Sequence, residues 1–208
     1  MPQIFNLSAT LNVSRLLYNP ALCLPHMTAK TFDQLSIPFQ IPNHSDVVIK
    51  GIVLDKDNCF AKDHDDKVWP AYEQTWTKLK ETYPIQNLLI VSNSAGTDDD
   101  LNNHQQAQVL ESTTGVAVLR HSVKKPGCLD EIKQHFAKLN VKPSEILVIG
   151  DRLFTDMLMA NMMGSWGCWI SQGVELSQKM FPRLERDMYQ RLVVSRGDNP
   201  WVPPTPSN

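Results

Sequence analysis

VVIKGIVL, which spans Val47 to Leu54, runs directly into the acidic tripeptide Asp55-Lys56-Asp57. A β-branched apolar run of this length is typical of a strand buried on both faces, and strands of that kind belong to parallel sheets. The strand would end where the apolar residues stop. The sequence therefore predicts a buried strand that places Asp55 at the carboxyl edge of a sheet.

Four more strands are predicted downstream, and helical segments lie between them. Each predicted strand is a short apolar run bounded by polar or turn-forming residues. The strands are Asn87 to Val91, Val116 to Leu119, Ile146 to Gly150 and Trp166 to Ile170, and the helices are Ala71 to Tyr83, Asp98 to Glu111, Cys128 to Leu139 and Leu153 to Met163. This alternation predicts a Rossmann-like α/β fold with three αβα layers and a mostly parallel central sheet.

Composition excludes several classes of protein. The chain has 208 residues with 42% hydrophobic content, enough for one domain with a substantial core. Its formal net charge of −2 gives no reason to expect a nucleic-acid partner. The four cysteines lie far apart with no zinc-type spacing, so buried reduced thiols are expected. No apolar run approaches the length of roughly 18 residues that a membrane-spanning helix needs, so no transmembrane span is expected.

Three regions of the chain differ in composition. Residues 1–45 combine an apolar N-terminal segment with a proline-rich stretch, which predicts a helix followed by an extended arm. The first 30 positions contain Arg15 and Lys30 but no acid, as in a targeting segment or a helix at a membrane surface; a helix packed on the domain is the alternative. Residues 46–195 form the predicted main domain, and residues 196–208 a flexible tail.

Reactive side chains cluster at the ends of the predicted strands. The carboxyl ends of parallel strands meet at one edge of a sheet, where ligands bind. The side chains are Asp55 and Asp57, Ser92 and Asn93, Lys124 and Lys125, and Asp151 with Asp156. Singly, each group has an ordinary explanation, because aspartates begin helices, serine and asparagine form turns, and paired lysines lie on surfaces. Their arrival at one edge predicts an active site.

The aspartates suit phosphoryl transfer through a carboxylate. We expect Asp55 to be the nucleophile, and Asp57 to be the general acid and later the base that activates water. A carboxylate that attacks a phosphate dianion needs positive charge beside it, which predicts a bound Mg²⁺ ion. Its expected ligands are Asp55, Asp151, the main-chain carbonyl of Asp57 and, as an outer or water-bridged ligand, Asp156.

The remaining strand-end groups would bind the phosphate. Lys125 is expected to neutralise the phosphoryl oxygens, and Ser92 and Asn93 to donate hydrogen bonds to them. The charged segment from Lys62 to Lys67 is expected to be a solvated loop, with a metal-binding lip as the alternative. Arg120 and His121 could contact a second phosphate or glycerol hydroxyls, and a surface role is the other reading of that pair.

The motif set resembles a known superfamily. Asp55-Lys56-Asp57-Asn58, Ser92 after LLIV, Lys125 before Pro126, and GDRLFTD from Gly150 to Asp156 are similar to the four motifs of the haloacid dehalogenase superfamily of phosphatases. More closely, LDKDNC, HDDKVWP, LIVSNSAG, LRHSVKKPG and GDRLFTDMLMANMMGS resemble the family of mitochondrial phosphatidylglycerophosphate phosphatases. The resemblance spans roughly Leu16 to Ile170 and departs from many members at Cys59, where Thr or Val is common.

The resemblance implies magnesium-dependent hydrolysis of phosphatidylglycerophosphate to phosphatidylglycerol and phosphate through an aspartyl-phosphate, in cardiolipin biosynthesis. It also implies peripheral association with the matrix side of the mitochondrial inner membrane. The intervals that follow Asp57 and Ser92 leave no room for a large cap domain, so an open crevice would accept phosphate on an anionic phospholipid. The alternatives are an uncapped phosphatase acting on phosphoproteins or nucleic-acid ends, and a non-catalytic phosphate-binding scaffold. A homo-oligomer is compatible with the sequence.

Overall fold

A computed structural model describes residues 18–206 as a twisted sheet between two layers of helices. The strands are β1 (Met27–Ala29), β2 (Gly51–Leu54), β3 (Leu88–Ile90), β4 (Ala117–Val118), β5 (Ile146–Gly150) and β6 (Trp166–Ile170). They are ordered β1-β6-β5-β2-β3-β4, and each pairing is parallel. The predicted α/β fold with a parallel central sheet is confirmed.

Helices follow most of the strands. They are α1 (Glu73–Thr82), α2 (Leu101–Thr114), α3 (Leu129–Ala137), α4 (Leu158–Met163) and α5 (Met180–Leu192). A π-helical turn, Leu153–Met157, leads into α4. The 3₁₀ turns are Pro20–Cys23, Phe32–Gln34, Pro70–Tyr72, Ile85–Asn87, Pro143–Glu145 and Val194–Arg196. Helix α5 and strand β1 were not expected from the sequence.

Alternate residues of the central strand β2 face opposite layers. Ile52 and Leu54 belong to a buried cluster that includes residues of α1 and α2, whereas Val53 belongs to a second cluster with residues of α3 and α4. All four residues of β2 are buried. Since each buried aliphatic side chain contributes about 1.5–3 kcal/mol, this alternation fixes the strand between the two helical layers.

The described part of the predicted arm is built into the domain. Met27 to Ala29 pair in parallel with Cys168 to Ile170, and buried apolar side chains from Phe32 to Ile41 pack in the larger core cluster. The structure therefore differs from the expectation of a linker ending at residue 45. The arm had been expected to be extended because its prolines interrupt helix and strand patterns, but its apolar residues still bury against the sheet. Most of the predicted N-terminal helix lies outside the described residues.

The C-terminal stretch also contacts the domain. The main-chain N–H of Trp201 donates to the carbonyl of Leu192 at 3.0 Å, and the Arg196 guanidinium lies over the Trp201 ring. As far as residue 206, the predicted flexible tail is therefore attached to the core. No helix within residues 18–206 is long and apolar enough to cross a membrane.

The order of the strands sets the position of the crevice. From β2 the chain moves to β3 and β4 on one side, then returns to β5 on the other side of β2. Leu54 lies level with Ile149 of β5 and with Ile90 of β3. The residues that follow these three strands therefore emerge side by side, at the kind of switch point where open parallel sheets bind ligands.

His26 ties β1, β6 and the C-terminal stretch together. Its Nδ1 accepts a hydrogen bond from the main-chain N–H of Gly167 at 3.0 Å, so Nε2 carries the proton and donates to the carbonyl of Pro204 at 3.1 Å. This is the neutral ring. Burial lowers the pKa of His26 to about 4, because desolvation disfavours the imidazolium ion.

The His26 arrangement predicts acid sensitivity. An ordinary histidine of pKa 6.5 in the unfolded chain binds its proton well before the folded ring of pKa about 4 does. The folded state is therefore disfavoured as pH falls through that window, and we expect the free energy of unfolding to drop by up to about 3 kcal/mol, at about 1.4 kcal/mol for each unit of difference in pKa. Urea unfolding of the wild type and of His26→Asn, which cannot titrate, measures this. Equal pH dependence in both proteins would contradict the prediction.

Candidate active site

Three carboxylates converge beyond the ends of β2 and β5. Asp55 follows β2, and its main-chain N–H still donates to the Ile149 carbonyl at 2.9 Å; Asp151 follows β5, and Asp156 lies in the π-helical turn. One oxygen from each of the three carboxylates lies within 4.8 Å of the others. Hard divalent cations prefer oxygen ligands held in this way, so the three residues fit a magnesium site.

Gly150 makes the approach of Asp156 feasible. A Cβ atom at position 150 would lie 2.4 Å from the carboxyl carbon of Asp156, so any other residue would displace that side chain. Asp156 is fully buried, and it accepts a hydrogen bond from the main-chain N–H of Arg152 at 3.1 Å. The glycine therefore allows the end of β5 and the following turn to present Asp151 and Asp156 to the same point.

Lys125 supplies positive charge inside the carboxylate group. Its side chain is buried, and its ammonium donates to Asp156 Oδ1 at 2.6 Å and to Asp55 Oδ1. Burial alone would lower the pKa of Lys125, but the two carboxylates outweigh burial and raise it. The main-chain N–H of Lys125 donates to Asn93 Oδ1 at 2.8 Å, which links this loop to the end of β3.

Burial and mutual repulsion act on the carboxylates. Desolvation raises the pKa of Asp55 to about 7; Lys125 opposes that rise, and Asp156 adds to it. The pKa of Asp151 is also raised, first by burial and then by repulsion from Asp55 and Asp156. Negative charge in this group is therefore costly although Lys125 and Arg152 balance part of it. A divalent cation would relieve that cost, which is a second reason why the residues fit a metal.

Asp57 lines the crevice but faces a different set of partners. Its carboxylate accepts hydrogen bonds from Lys56 Nζ at 2.7 Å, the His64 main-chain N–H at 2.9 Å and Ser94 Oγ at 3.2 Å. Burial by itself would raise the pKa of Asp57, but Lys56 and these hydrogen bonds outweigh burial and lower it. The side chain is therefore held ionised, in one orientation, beside Asp55.

The two residues predicted to bind phosphate after β3 differ in position. Asn93 lines the crevice and also fixes the Lys125 backbone. Ser92 is fully buried, and its hydroxyl lies 3.0 Å from Ser94 Oγ rather than at the crevice wall. The Ser92 carbonyl lies 3.0 Å from a ring nitrogen of buried His121. Asn93 therefore lies at the site, whereas Ser92 is buried behind the crevice wall and supports the loop.

The crevice is a polar cavity of about 210 Å³. Its charged lining consists of Asp55, Asp57, Asp63, Asp151, Asp156, Lys125, Arg152 and Lys179. Five acids therefore face three permanent cations, with His64 beside them. A phosphate dianion would be repelled from such a cavity unless a further cation were bound, because like charges at contact distance cost several kcal/mol in a partly buried site. The composition of the lining thus supports the metal site.

Ion pairs and hydrogen bonds close the rim of the crevice. Lys179 contacts Asp63 at 2.7 Å, and Lys62 contacts Glu175 at 2.8 Å. Asn58 accepts from the Glu175 main-chain N–H and donates to Asp151 Oδ2 at 3.1 Å. The segment from Lys62 to Lys67, expected to be a solvated loop, is therefore partly a wall of the site.

Several contributors to the site were missed in the sequence. Lys56 is fully buried and holds the loop after β2 through Asp57 and the Asp65 carbonyl, yet its neighbours in sequence give no sign of this. Ser177, Lys179 and Pro182 line the crevice although they lie beyond the last predicted motif. Asn58 and Arg152 were missed too, although each directly follows a predicted site residue, Asp57 and Asp151. Their positions in the LDKDN and GDR motifs could have identified them.

Two other basic side chains are engaged elsewhere. Arg120, one candidate for a second phosphate or glycerol contact, makes a two-pronged ion pair with Glu111 at 2.5 and 2.8 Å. Lys124 contacts Asp99 at 2.5 Å, so Lys125 is the member of the lysine pair that enters the site. The ring nitrogens of His121 both face main-chain carbonyls, which makes this residue a support of the loop.

The larger groove of the protein lies at the other edge of the sheet. It has a volume of about 1020 Å³ and is lined by residues before β2 and β3, such as Ile49 and Asn87. Lys50 is the only charged side chain in its lining. Without paired acids or a cluster of metal ligands, this groove offers no comparable chemistry, and the catalytic candidate remains the smaller polar crevice.

An aspartate at the end of the central strand, faced by a second acidic strand end and a buried lysine, is the arrangement that the resemblance of the motifs to the haloacid dehalogenase superfamily implies. The order of the four motifs along the chain agrees with that class, as does the parallel sheet. The fold and the site therefore fit a phosphatase of the kind that the motifs resemble.

Comparison with known proteins gives the family. A family model described as mitochondrial PGP phosphatase matches residues 7–175. The chain is 51% identical over 189 residues to mitochondrial phosphatidylglycerophosphatase GEP4 of Saccharomyces cerevisiae, covering 90% of this chain and 98% of that protein. It is 33% identical over 195 residues to a probable mitochondrial phosphatidylglycerophosphatase of Schizosaccharomyces pombe, covering 89% and 90%. The chain therefore belongs to the mitochondrial PGP phosphatase family.

Solved structures also match this chain, and one of them is a phosphatase. D,D-heptose 1.7-bisphosphate phosphatase from B. bronchiseptica, complexed with magnesium and phosphate, shares 16% identity at a TM-score of 0.43, over 74% of this chain and 91% of that chain.

Metal binding should stabilise the fold through the three carboxylates. We expect saturating Mg²⁺, at about 100 times its dissociation constant, to add about 2.7 kcal/mol of stability and to raise Tm by roughly 5–10 °C. Asp151→Asn removes one ligand, so most of that shift should disappear. Asp130→Asn, at an exposed acid on α3, is the matched control and should respond as the wild type does. Differential scanning calorimetry measures the shifts; an undiminished response of Asp151→Asn would contradict the site.

Proposed function

We propose that this chain is a magnesium-dependent phosphatase that hydrolyses phosphatidylglycerophosphate to phosphatidylglycerol and phosphate, through an aspartyl-phosphate on Asp55. The observation that carries the proposal is the group of three carboxylates within 4.8 Å of one another, with the Lys125 ammonium on two of them. The lipid substrate is supported by the 51% identity to a relative named phosphatidylglycerophosphatase.

Asp55, Asp151 and Asp156 would hold the Mg²⁺ ion, with the main-chain carbonyl of Asp57 as a further proposed ligand. When bound, the ion supplies positive charge where the carboxylate and the phosphate dianion meet. That positive charge would lower the pKa of Asp55, which burial raises, so the carboxylate would stay ionised at neutral pH. The chain's own contribution is to hold the attacking oxygen in a fixed position at the end of β2.

In the first step, an Asp55 oxygen forms a bond to phosphorus while the bond from phosphorus to the lipid alcohol oxygen breaks. Asp57 gives that oxygen a proton. The carboxylate of Asp57 is ionised in the free site, but a phosphate dianion beside it raises its pKa and so favours the protonated form. Lys56, His64 and Ser94 keep the Asp57 side chain aimed into the crevice.

In the second step, water attacks the phosphorus of the aspartyl-phosphate, and the bond to Asp55 breaks. Asp57, ionised again after the first step, takes the proton of that water. Lys125 neutralises the phosphoryl oxygens in both steps, since its ammonium already lies against Asp55. Asn93 is placed to donate its amide to the same oxygens, because it lines the crevice and its carbonyl oxygen is held by the Lys125 main chain.

The size of the crevice favours a large substrate. A cavity of about 210 Å³ is smaller than the roughly 300–1,000 Å³ of sites that enclose a whole drug-sized ligand. It accepts the phosphate-bearing end of a molecule and leaves the remainder outside. Within residues 18–206 no separate cap domain covers the opening. A phospholipid that presents its head group from a membrane satisfies both conditions.

The proposed setting follows from the same relatives. Both are named mitochondrial, and we place this chain in the mitochondrion, peripherally on the matrix side of the inner membrane, within cardiolipin synthesis. The N-terminal segment, with Arg15 and no acid in its first 30 residues, is proposed to assist association with anionic lipid. A homo-oligomer remains compatible with these roles.

Asp55→Asn should abolish turnover while leaving the fold intact, because it removes the nucleophile and keeps the side-chain volume. We expect phosphate release to fall by at least about a thousandfold. Asp57→Asn should slow breakdown of the intermediate, so that intact-protein mass spectrometry finds one added phosphoryl group. The double variant Asp55→Asn/Asp57→Asn is the control and should gain no such mass. Comparable turnover by Asp55→Asn and the wild type would rule the mechanism out.

A substrate panel separates the proposed function from its alternatives. Phosphate release is measured on phosphatidylglycerophosphate in vesicles, a phosphatidic acid, a phosphopeptide and a 5′-phosphorylated oligonucleotide, with Mg²⁺ and with excess chelator. We expect kcat/KM to be at least about tenfold higher for phosphatidylglycerophosphate than for the other three, a difference of about 1.4 kcal/mol. Preference for the peptide or the oligonucleotide would replace the lipid assignment. Binding of phosphate without turnover of any substrate would indicate the scaffold.

A further inference from the structure

The segment from Leu176 to Leu184 forms an exposed apolar surface beside the active site. Leu176, Met180, Phe181 and Leu184 are 51%, 72%, 55% and 53% exposed. Single exposed apolar side chains are common on proteins, but four within one short segment form a patch of the kind that marks an interaction site. We call these four side chains the α5 apolar surface.

The α5 apolar surface adjoins the crevice. Ser177, Lys179 and Pro182 line the crevice and alternate in sequence with the exposed apolar residues. A neighbouring cavity of about 510 Å³ shares Lys179 with the crevice and reaches Leu176. Met180 and Phe181 occupy the first turn of α5, and Leu184 lies one turn after Met180 on the same side. A molecule with its phosphate in the crevice would therefore extend past these side chains.

The charges on this segment match an anionic partner. Leu176 to Leu184 contains no acid; of its two basic residues, Lys179 is paired with Asp63 of the crevice rim and Arg183 is exposed. Further along α5 the basic residues are Arg186 and Arg191; of the acids, Glu185 is buried and Asp187 is exposed. Apolar side chains interspersed with basic ones are typical of helices that lie in the head-group region of anionic bilayers, where basic residues near the surface are attracted to the lipid phosphates.

Helix α5 is hydrogen-bonded to the π-helical turn that carries Asp156, Leu153–Met157, and to the residue before it. Buried Glu185 accepts from Arg152 Nε at 2.9 Å and from the Phe154 main-chain N–H at 3.1 Å. The Arg152 main-chain N–H in turn donates to Asp156 at 3.1 Å. These hydrogen bonds fix the position of the α5 apolar surface relative to the three carboxylates. Contact with a membrane at α5 would therefore hold the crevice at a fixed distance from the lipid phosphates.

From this arrangement we infer that the α5 apolar surface docks onto an anionic phospholipid bilayer, with Met180, Phe181 and Leu184 inserted among the head groups and Arg183 against a lipid phosphate. The choice of a bilayer as the partner rests on the proposed lipid substrate. The family match ends at residue 175, so the surface lies outside the part of the chain that this match describes.

The test uses the full chain and a triple variant, Met180→Ser/Phe181→Ser/Leu184→Ser. None of these residues lines the crevice, and all three are exposed, so the fold should persist. The matched control is Val48→Ser/Ile85→Ser/Val109→Ser, which removes three apolar side chains that are 65%, 45% and 42% exposed away from the crevice. Flotation measures binding to vesicles of phosphatidylcholine with about one third phosphatidylglycerol, and to phosphatidylcholine alone.

We expect the triple variant to bind the anionic vesicles at least about tenfold more weakly than the wild type and the control. Its turnover of phosphatidylglycerophosphate in vesicles should fall in parallel, while hydrolysis of p-nitrophenyl phosphate stays within about twofold of the wild type. Arg183→Ser should weaken binding to anionic vesicles and leave binding to neutral ones unchanged.

Wild-type binding by the triple variant would overturn the inference. A smaller molar mass of the triple variant by light scattering, with unchanged vesicle binding, would overturn it as well and identify the surface as a contact between copies of this chain. Vesicle binding is measured without turnover, so the two proposals fail separately. If the wild type binds through α5 but releases no phosphate from the lipid, the proposed function fails and the docking surface stands.

Discussion

The contact of the Lys125 ammonium with Asp55 and Asp156 is the interaction on which the site depends. Burying an ion costs several kcal/mol, and that cost is recovered only when opposite charges and hydrogen bonds surround it. Here a lysine from the loop after β4 meets carboxylates that follow β2 and β5. The same contact therefore joins three parts of the chain, lets the acids be buried near one another, and places positive charge where a phosphate would bind.

Two further ion pairs, each with one buried partner, hold the loops at the rim of the crevice. Lys56, fully buried, orients Asp57 and holds the loop that follows β2. The ion pair between Arg152 and Glu185 joins the start of the π-helical turn to α5. Because a buried charge without its partner is strongly unfavourable, these pairs specify which loops lie against which. The C-terminal helix is thereby part of the active-site architecture, and the exposed apolar residues at its start keep a constant relation to the crevice.

The sequence predicted most of the sheet and the identity of the main reactive groups. β5 and β6 have the bounds expected from their apolar runs, and the strands before Asp55 and Ser92 were placed correctly although they are shorter than expected. Such runs are local signals, since burial on both faces requires consecutive apolar residues. β1 was missed because Met27–Ala29 has three residues and lies among prolines. α5 was missed because its apolar residues are divided between exposed ones at its start and partly buried ones such as Met188 and Tyr189.

By itself, the sequence determined the parallel α/β fold, the order of the acidic and basic groups along it, and the meeting of Asp55, Lys125 and Asp151 at one sheet edge. Only the tertiary structure decided that Asn93 rather than Ser92 faces the crevice, that Asp57 is held by Lys56, and that α5 forms part of the rim. Strand ends are located by local patterns along the chain. The hydrogen bonds of Asn58 and Asn93 depend instead on residues about 30 to 120 positions away, and the adjacent Lys56 and Asp57 pair only because the folded loop turns both side chains toward each other. Spacing in one sequence does not record those pairings.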